Sequence, residues 1–135
     1  MLLVGEVVVP VDAEALAVKY LKAQFSGRGE SATVATKVPA PAPARMVRVS
    51  LVNTPEQTPL HSYATLLVEC WAPSTTAASG LARLAYGILR AVEGEDIDGH
   101  HVTEVVTVGG VASLPDETGP RYQFTLDLLL AGELI

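Results

Sequence analysis

The chain is poor in cysteine, aromatic residues and charge, and each shortage excludes something. It has a single cysteine, Cys70, so no internal disulfide can staple the fold and stability has to come from a packed core. Cys70 lies inside Leu66-Leu67-Val68-Glu69-Cys70-Trp71, where a thiol reads as a small buried hydrophobe. No neighbouring base or cation marks it as a nucleophile. Aromatic residues make up 5% of the chain against 49% hydrophobic residues, so the core must be built mainly from Val, Leu and Ala. Charged residues reach 18%, below the roughly 25% usual in soluble domains. Two readings account for that shortfall: surface covered by partner chains, or an Ala/Val-rich coding bias.

Cations never cluster, and the net charge is −6. Such a field repels nucleic acid rather than collecting it, while leaving open the passage of DNA along a non-adhesive acidic lining. No apolar run is long enough to span a bilayer. The apolar N-terminus lacks a basic stretch and carries Glu6, so it does not read as a signal peptide. The expectation is a soluble protein of the cytosol with no membrane partner. At 135 residues with no internal repeat, residues 1–135 are expected to form one domain around one core.

Hydrophobic periodicity then predicts the elements. Asp12 precedes Ala13 to Phe25, where Ala13, Leu16, Ala17, Tyr20, Leu21 and Phe25 fall at helical spacing. Asp12 reads as its N-cap, and Ser26-Gly27-Arg28-Gly29 as its end. Ser31 to Val38 alternates as a short strand, and Pro39 to Ala44 reads as an extended proline-rich spacer. In Arg45 to Val52, Val47, Val49 and Leu51 share one face, opposite Met46, Arg48 and Ser50. His61 to Ala72 reads as a long strand with Ala64, Leu66, Val68 and Cys70 on one side. Tyr63, Thr65, Leu67, Glu69 and Trp71 take the other. Ser74 or Thr75 caps a second helix with the stripe Ala77, Leu81, Leu84, Ala85, Ile88, Leu89, Val92. Strands over 101–108 and 121–130 complete the set, the last with Tyr122, Phe124, Leu126, Leu128 and Leu130 on one face. Strands in runs with helices between them predict an α+β class: a mixed or antiparallel β-sheet of four to five strands packed against two α-helices.

Tests for chemistry return little. Asp96-Ile97-Asp98-Gly99 matches the middle of a calcium-binding loop, but aligning on Gly99 puts Gly94 at the first ligand position and Val105 at the last, where a bidentate glutamate is needed. His100 and His101 point to opposite faces of an extended segment and cannot share an ion; His61 is isolated. There is no phosphate-binding glycine loop and no nucleophile-elbow serine. The expectation is a non-enzymatic protein with no catalytic residue, cofactor or metal.

Two loops stand out instead. Asn53 to Leu60, with Pro55, Glu56, Gln57, Thr58 and Pro59 at its centre, reads as a projection for docking. Gly109 to Gly119 delivers Arg121 and Tyr122 into the last strand. Arg45, Arg48 and Arg121 sit on strands beside such loops, and with Pro115, Asp116 and Tyr122 they form the candidate subunit interface. The planar guanidinium fork suits carboxylate recognition across an interface. One reading pairs Arg45 or Arg121 with the acidic turn Glu93-Glu95-Asp96-Asp98 of a neighbour. The other makes them solvated charges that guard a sheet edge.

Three collinear stretches carry a resemblance to a known family. They are Val8-Val9-Pro10-Val11-Asp12-Ala13-Glu14-Ala15-Leu16-Ala17 through Leu21; Thr36-Lys37-Val38-Pro39 with Pro43-Ala44-Arg45-Met46-Val47-Arg48-Val49; and Leu114-Pro115-Asp116 with Pro120-Arg121-Tyr122-Gln123-Phe124. Val68-Glu69-Cys70-Trp71-Ala72 lies between them, running into an Ala-rich helix. The set resembles the tail terminator proteins of actinobacterial siphophages over nearly the whole chain; no single motif is diagnostic. The resemblance implies a fold like that of tail-tube subunits and a structural role in the virion. It implies a homohexameric ring, assembled in the host cytoplasm, that caps the head-proximal end of a non-contractile tail and stops polymerisation of the tail-tube protein. The head–tail connector or stopper then docks on the ring, and DNA passes through it only as cargo. Competing readings are another neck component, such as a head–tail adaptor or stopper, and a small ligand- or peptide-binding module.

Overall fold

A computed structural model describes residues 5–135. In chain order the elements are β1 (Val8–Val9), α1 (Ala13–Arg28), β2 (Thr33–Ala35), β3 (Met46–Asn53), β4 (Glu56–Thr58) and β5 (His61–Trp71). They continue as α2 (Thr75–Arg90), β6 (Asp96–Ile97), β7 (His100–Ser113), β8 (Arg121–Ala131) and β9 (Glu133–Leu134). The class is α+β, as the run of elements predicts. The main sheet is larger than the four to five strands expected: it has seven, in the order β2-β3-β5-β8-β7-β6 with β4 also beside β5. Only β2 and β3 pair in parallel; every other pairing in the sheet is antiparallel. A separate two-stranded ladder joins β1 to β9.

Alternation decides which side of the sheet the helices cover. Val47 and Val49 of β3, Ala64, Leu66, Val68 and Cys70 of β5, and Phe124, Leu126, Leu128 and Leu130 of β8 are buried in one cluster. The helices supply the other half. Leu16, Ala17, Leu21 and Phe25 come from α1; Leu81, Ala82, Ala85, Ile88 and Leu89 come from α2. Asp12 caps α1 by accepting the Ala15 amide, and Ser74 caps α2 by accepting the Ala77 amide. Relative to the expected stripe, α2 is rotated: Ala78 and Ala82 are fully buried, while Ala77 and Leu84 are only half-buried. Alanines at the contact let the helix approach the sheet, and Tyr86 completes it edge-on to Phe124 at 5.3 Å.

Four features depart from the sequence reading. The segment 53–60 is not an open loop: β3 continues through a bulge into β4, and both pair with β5 as one long hairpin. Gly109 to Ser113 belong to β7, whose register against β8 shifts at Gly109, so the glycines are bulge positions inside a strand. The acidic turn after α2 contains a tight hairpin, in which Asp98 and Gly99 both take positive φ, 50° and 81°, between β6 and β7. That is the two-residue Asp-Gly turn whose twist matches paired strands. The strand expected over Ser31 to Val38 is confined to Thr33–Ala35.

Gly132 lies where two ladders meet. A Cβ there would stand 2.6 Å from Val8 Cγ1 and 2.9 Å from the Val9 carbonyl oxygen. The carbonyl is backbone and cannot rotate away. Gly132→Ala is therefore expected to open the β1–β9 ladder and cost about 1–3 kcal/mol, the usual range for overpacking. Urea denaturation followed by circular dichroism reads the change.

Candidate functional site

The helix-free face of the sheet carries one concentrated polar feature, at the end where β3 starts, β5 ends and β8 starts. Register puts Arg48 opposite Glu69 and Trp71 opposite Arg121. Glu69 is the one buried charged residue among those described, 3% exposed. Such a carboxylate is held in place only by compensating donors. Arg48 supplies two, Nε at 2.8 Å and Nη2 at 2.6 Å from Oε1, and Arg121 Nη1 supplies a third at 2.9 Å from Oε2. The two guanidiniums also lie over the Trp71 ring, at 5.7 and 5.8 Å from its centroid. Two cations that share one anion thus both lie against the indole.

The same network reaches into the β7–β8 hairpin tip. Trp71 Nε1 donates to Asp116 Oδ1 at 3.0 Å, and that oxygen also accepts the Thr118 amide at 3.0 Å. Arg121 Nε donates to the Leu114 carbonyl at 2.7 Å, and its Nη1 lies 3.4 Å from Asp116 Oδ2. Burial works against the charge on Asp116, but the Trp71 hydrogen bond, the backbone amides and Arg121 outweigh it and hold the carboxyl below the ordinary aspartate value. The tip over 114–120 is therefore anchored by side chains, not an unstructured loop waiting for a partner.

Of the residues expected at the subunit interface, the network brings together Arg48, Asp116 and Arg121. Pro115 is exposed beside it on the tip. Tyr122 points the other way and packs half-buried against the core. Arg45 stands in a pair of its own, a two-pronged clasp on Glu30 with contacts of 2.7 and 2.9 Å. The Arg45 hydrogen bond is the main reason the Glu30 carboxyl lies below its usual range. Both Arg45 and Arg121 thus hold carboxylates of their own chain, and within the chain neither touches the acidic turn. Reversing the charge of Arg121 breaks intrachain bonds, so it is no clean probe of assembly. Glu69 and Trp71 are the members that sequence reasoning missed. Their signal was a glutamate and a tryptophan two apart on one face, with an arginine on the preceding strand.

Pro55, Glu56, Gln57, Thr58 and Pro59 are all exposed at the tip of the β4–β5 hairpin. Thr58 Oγ1 accepts the Leu60 and His61 amides, which fixes the turn. No protein-family model matches this chain, and no curated protein does.

Cys70 and two of the histidines are accounted for locally. Burial, reinforced by Glu69, pushes the Cys70 thiol up to about 12, which favours the inert thiol over the thiolate. His101 Nδ1 lies 2.7 Å from Asp96, while His100 Nε2 is 3.6 Å from Glu133 on β9. Among the described residues no helix is long and apolar enough to cross a membrane.

Both flanks of the sheet end in strands only partly covered. On one, β2 covers β3 as far as Arg48, and beyond it Glu14 of α1 accepts the Leu51 amide at 2.6 Å. Leu51 and Val52 are exposed there. On the other, β6 covers only His100 and His101. Next along β7, Glu93 accepts the Val105 amide and Arg90 donates to the Val105 carbonyl. From Val106 to Ser113 no strand lies outside β7 among the described residues. That stretch contains no charge and no proline, and Val108 is 58% exposed.

Proposed function

We propose that this chain is a structural subunit of the tail-terminator kind: a ring-forming virion protein that caps the head-proximal end of a phage tail tube, receives the head–tail connector and lets DNA pass. The observation that carries the reading is the unguarded edge of β7 over Val106–Ser113. Soluble monomers blunt such edges with lysine, proline or a covering segment. This one has bulges alone and leaves Val106 and Val108 exposed. The opposite flank of the same sheet presents Leu51 and Val52. Two different apolar flanks on opposite sides of one subunit favour a heterologous, head-to-tail contact, which closes into a ring when the rotation permits. Six subunits are taken from the family resemblance.

A cap also needs two unlike ends. The β4–β5 tip lies at the start of β5 and the Arg48–Glu69–Arg121 network at its end, roughly 33 Å apart at about 3.3 Å per residue. One end is a proline-bounded, uncharged-to-acidic tip; the other is a rigid charge network with an anchored hairpin. That polarity suits one face for the tube and one for the connector.

Light scattering after size exclusion, with negative-stain imaging and repeated in the presence of tail tubes, tests the reading. Six-fold rings or capped tube ends are expected. Val106→Lys with Val108→Lys is expected to abolish them while changing stability by no more than about 0.5 kcal/mol, as for other exposed positions. A protein that stays monomeric at high concentration and ignores tubes sinks the reading.

A further inference from the structure

The arginines divide into two groups. Those on the sheet side, Arg45, Arg48 and Arg121, each hold a carboxylate at 2.9 Å or less. Those on the helices hold none. Arg90 donates to a backbone carbonyl. Arg28 reaches only the Gln24 side-chain oxygen, at 3.5 Å. Arg83 makes no hydrogen bond or ion pair among the described residues. In a chain of net charge −6, three guanidiniums without an acid are conspicuous, and two of them, Arg28 and Arg83, share one place. Arg28 and Arg83 line a cleft of about 290 Å3 between α1 and α2, together with Tyr20, Gln24, Leu84 and Ile88.

Helix-dipole complementarity accounts for Arg28, which sits in the last turn of α1. It does not account for Arg83, nearly two turns before the end of α2. A second observation concerns the room in the cleft. Gly87, one turn beyond Arg83, also lines it, and a Cβ there would meet nothing within 4 Å. A glycine inside an exposed helix costs about 1 kcal/mol relative to alanine, and here that cost keeps the cleft wall bare. The cleft therefore has apolar lining residues, no acidic residue, two guanidiniums that hold no carboxylate and space for one or two side chains.

The surface of the chain contains a matching shape. At the β7–β8 tip, Glu117 is exposed and makes no hydrogen bond or ion pair among the described residues, and the exposed Leu114 and Pro115 stand beside it. The tip is held rigid from below by Asp116, Trp71 and Arg121, so presenting Glu117 costs little ordering. We infer that the Arg28–Arg83 cleft is the receptor for the β7–β8 tip of a second copy, with Glu117 between the guanidiniums and Leu114 against the apolar lining. Tip and cleft are different surfaces, so the contact is heterologous. It rests on the self-assembly proposed above and names a pair of surfaces that would direct it.

A charge swap tests the contact. Arg83 and Glu117 are both exposed, so Arg83→Glu, Glu117→Arg and the double variant are expected to fold as the parent does, checked by circular dichroism. Self-association is measured by sedimentation, with tail tubes present if the free protein stays monomeric. Each single variant is expected to weaken association about tenfold or more, the scale of one close charge pair, and the double variant to recover most of it. Singles that assemble like the parent, or a double variant no better than the singles, overturn the contact while leaving the ring reading in place. A parent that never self-associates, with or without tubes, overturns both.

Discussion

Glu69→Ala is expected to destabilise the fold by about 3 kcal/mol, the low end of the range for breaking a buried ion pair. The argument runs through what is left behind. Glu69 is shared by Arg48 and Arg121, so its removal leaves two cations near the Trp71 ring without the anion that joined them. Arg48 has a partly exposed side chain and can rehydrate, which keeps the cost from the top of the range. Arg121 is more enclosed and keeps Asp116 at 3.4 Å and the Leu114 carbonyl. Glu69→Gln preserves volume but turns one acceptor into a donor aimed at a guanidinium, so an intermediate loss is expected. Arg48→Ala alone should cost less than Glu69→Ala, because Arg121 still holds Oε2 and the opened site admits water to Oε1, which loses both of its donors. Urea denaturation gives the free energies. Trp71 is the only tryptophan and supplies a local probe: its emission should shift to the red in Glu69→Ala at denaturant concentrations where the parent is fully folded. An alanine variant as stable as the parent would show that the triad contributes specificity of register and no net stability.

Such a network was only half legible in the sequence. The alternation of β3, β5 and β8 sorted their residues into two faces, since period two leaves little freedom once one face is apolar, although Leu51 of the apolar row is exposed and Met46 of the opposite row is buried. It placed Arg48 and Glu69 on the uncovered side. Pairing them required the register between β3 and β5, which is set by the bulge near Asn53 and the turn at Thr58. Prolines 55 and 59 made those residues read as loop. The Gly109-Gly110 pair misled in the same way: glycine marks turns more often than bulges, and only the long partner strand β8 draws β7 on to Ser113. The opposite error arose at Asp98-Gly99, where testing for a calcium site hid an available hairpin signal. Helix positions were better determined, because Asp12 and Ser74 supply caps at the right places. The rotation of α2 was not, since alanines at 77, 78 and 82 are equally compatible with either stripe until the sheet chooses.

Trp71→Ala is expected to cost roughly 3–5 kcal/mol, as for other large buried aromatics, and to release the β7–β8 tip at the same time. Trp71 is 6% exposed, but it lies outside the main core, beside Arg48 and Arg121, and lines a cleft with Pro43, Ala72, Pro73 and Pro120. Deleting the indole removes the surface on which the guanidiniums lie and the donor that ties Asp116 to the sheet. The tip then keeps its own turn, the Asp116–Gly119 bridge, and the contacts of Arg121 with Leu114 and Asp116, and the amides of Thr118 and Gly119 should exchange with solvent faster than in the parent. Trp71→Phe separates the two roles. It retains most of the apolar volume and loses the hydrogen bond, for a cost of about 1–2 kcal/mol, and the Asp116 carboxyl should move back toward its ordinary value. If the tip must be rigid to enter a neighbouring cleft, Trp71→Phe should weaken self-association despite touching no exposed residue, because a loosened tip has to be ordered on binding. Unchanged exchange at the tip in Trp71→Ala would mean that Arg121 alone anchors it, and that the indole serves only to fill space beneath the two arginines.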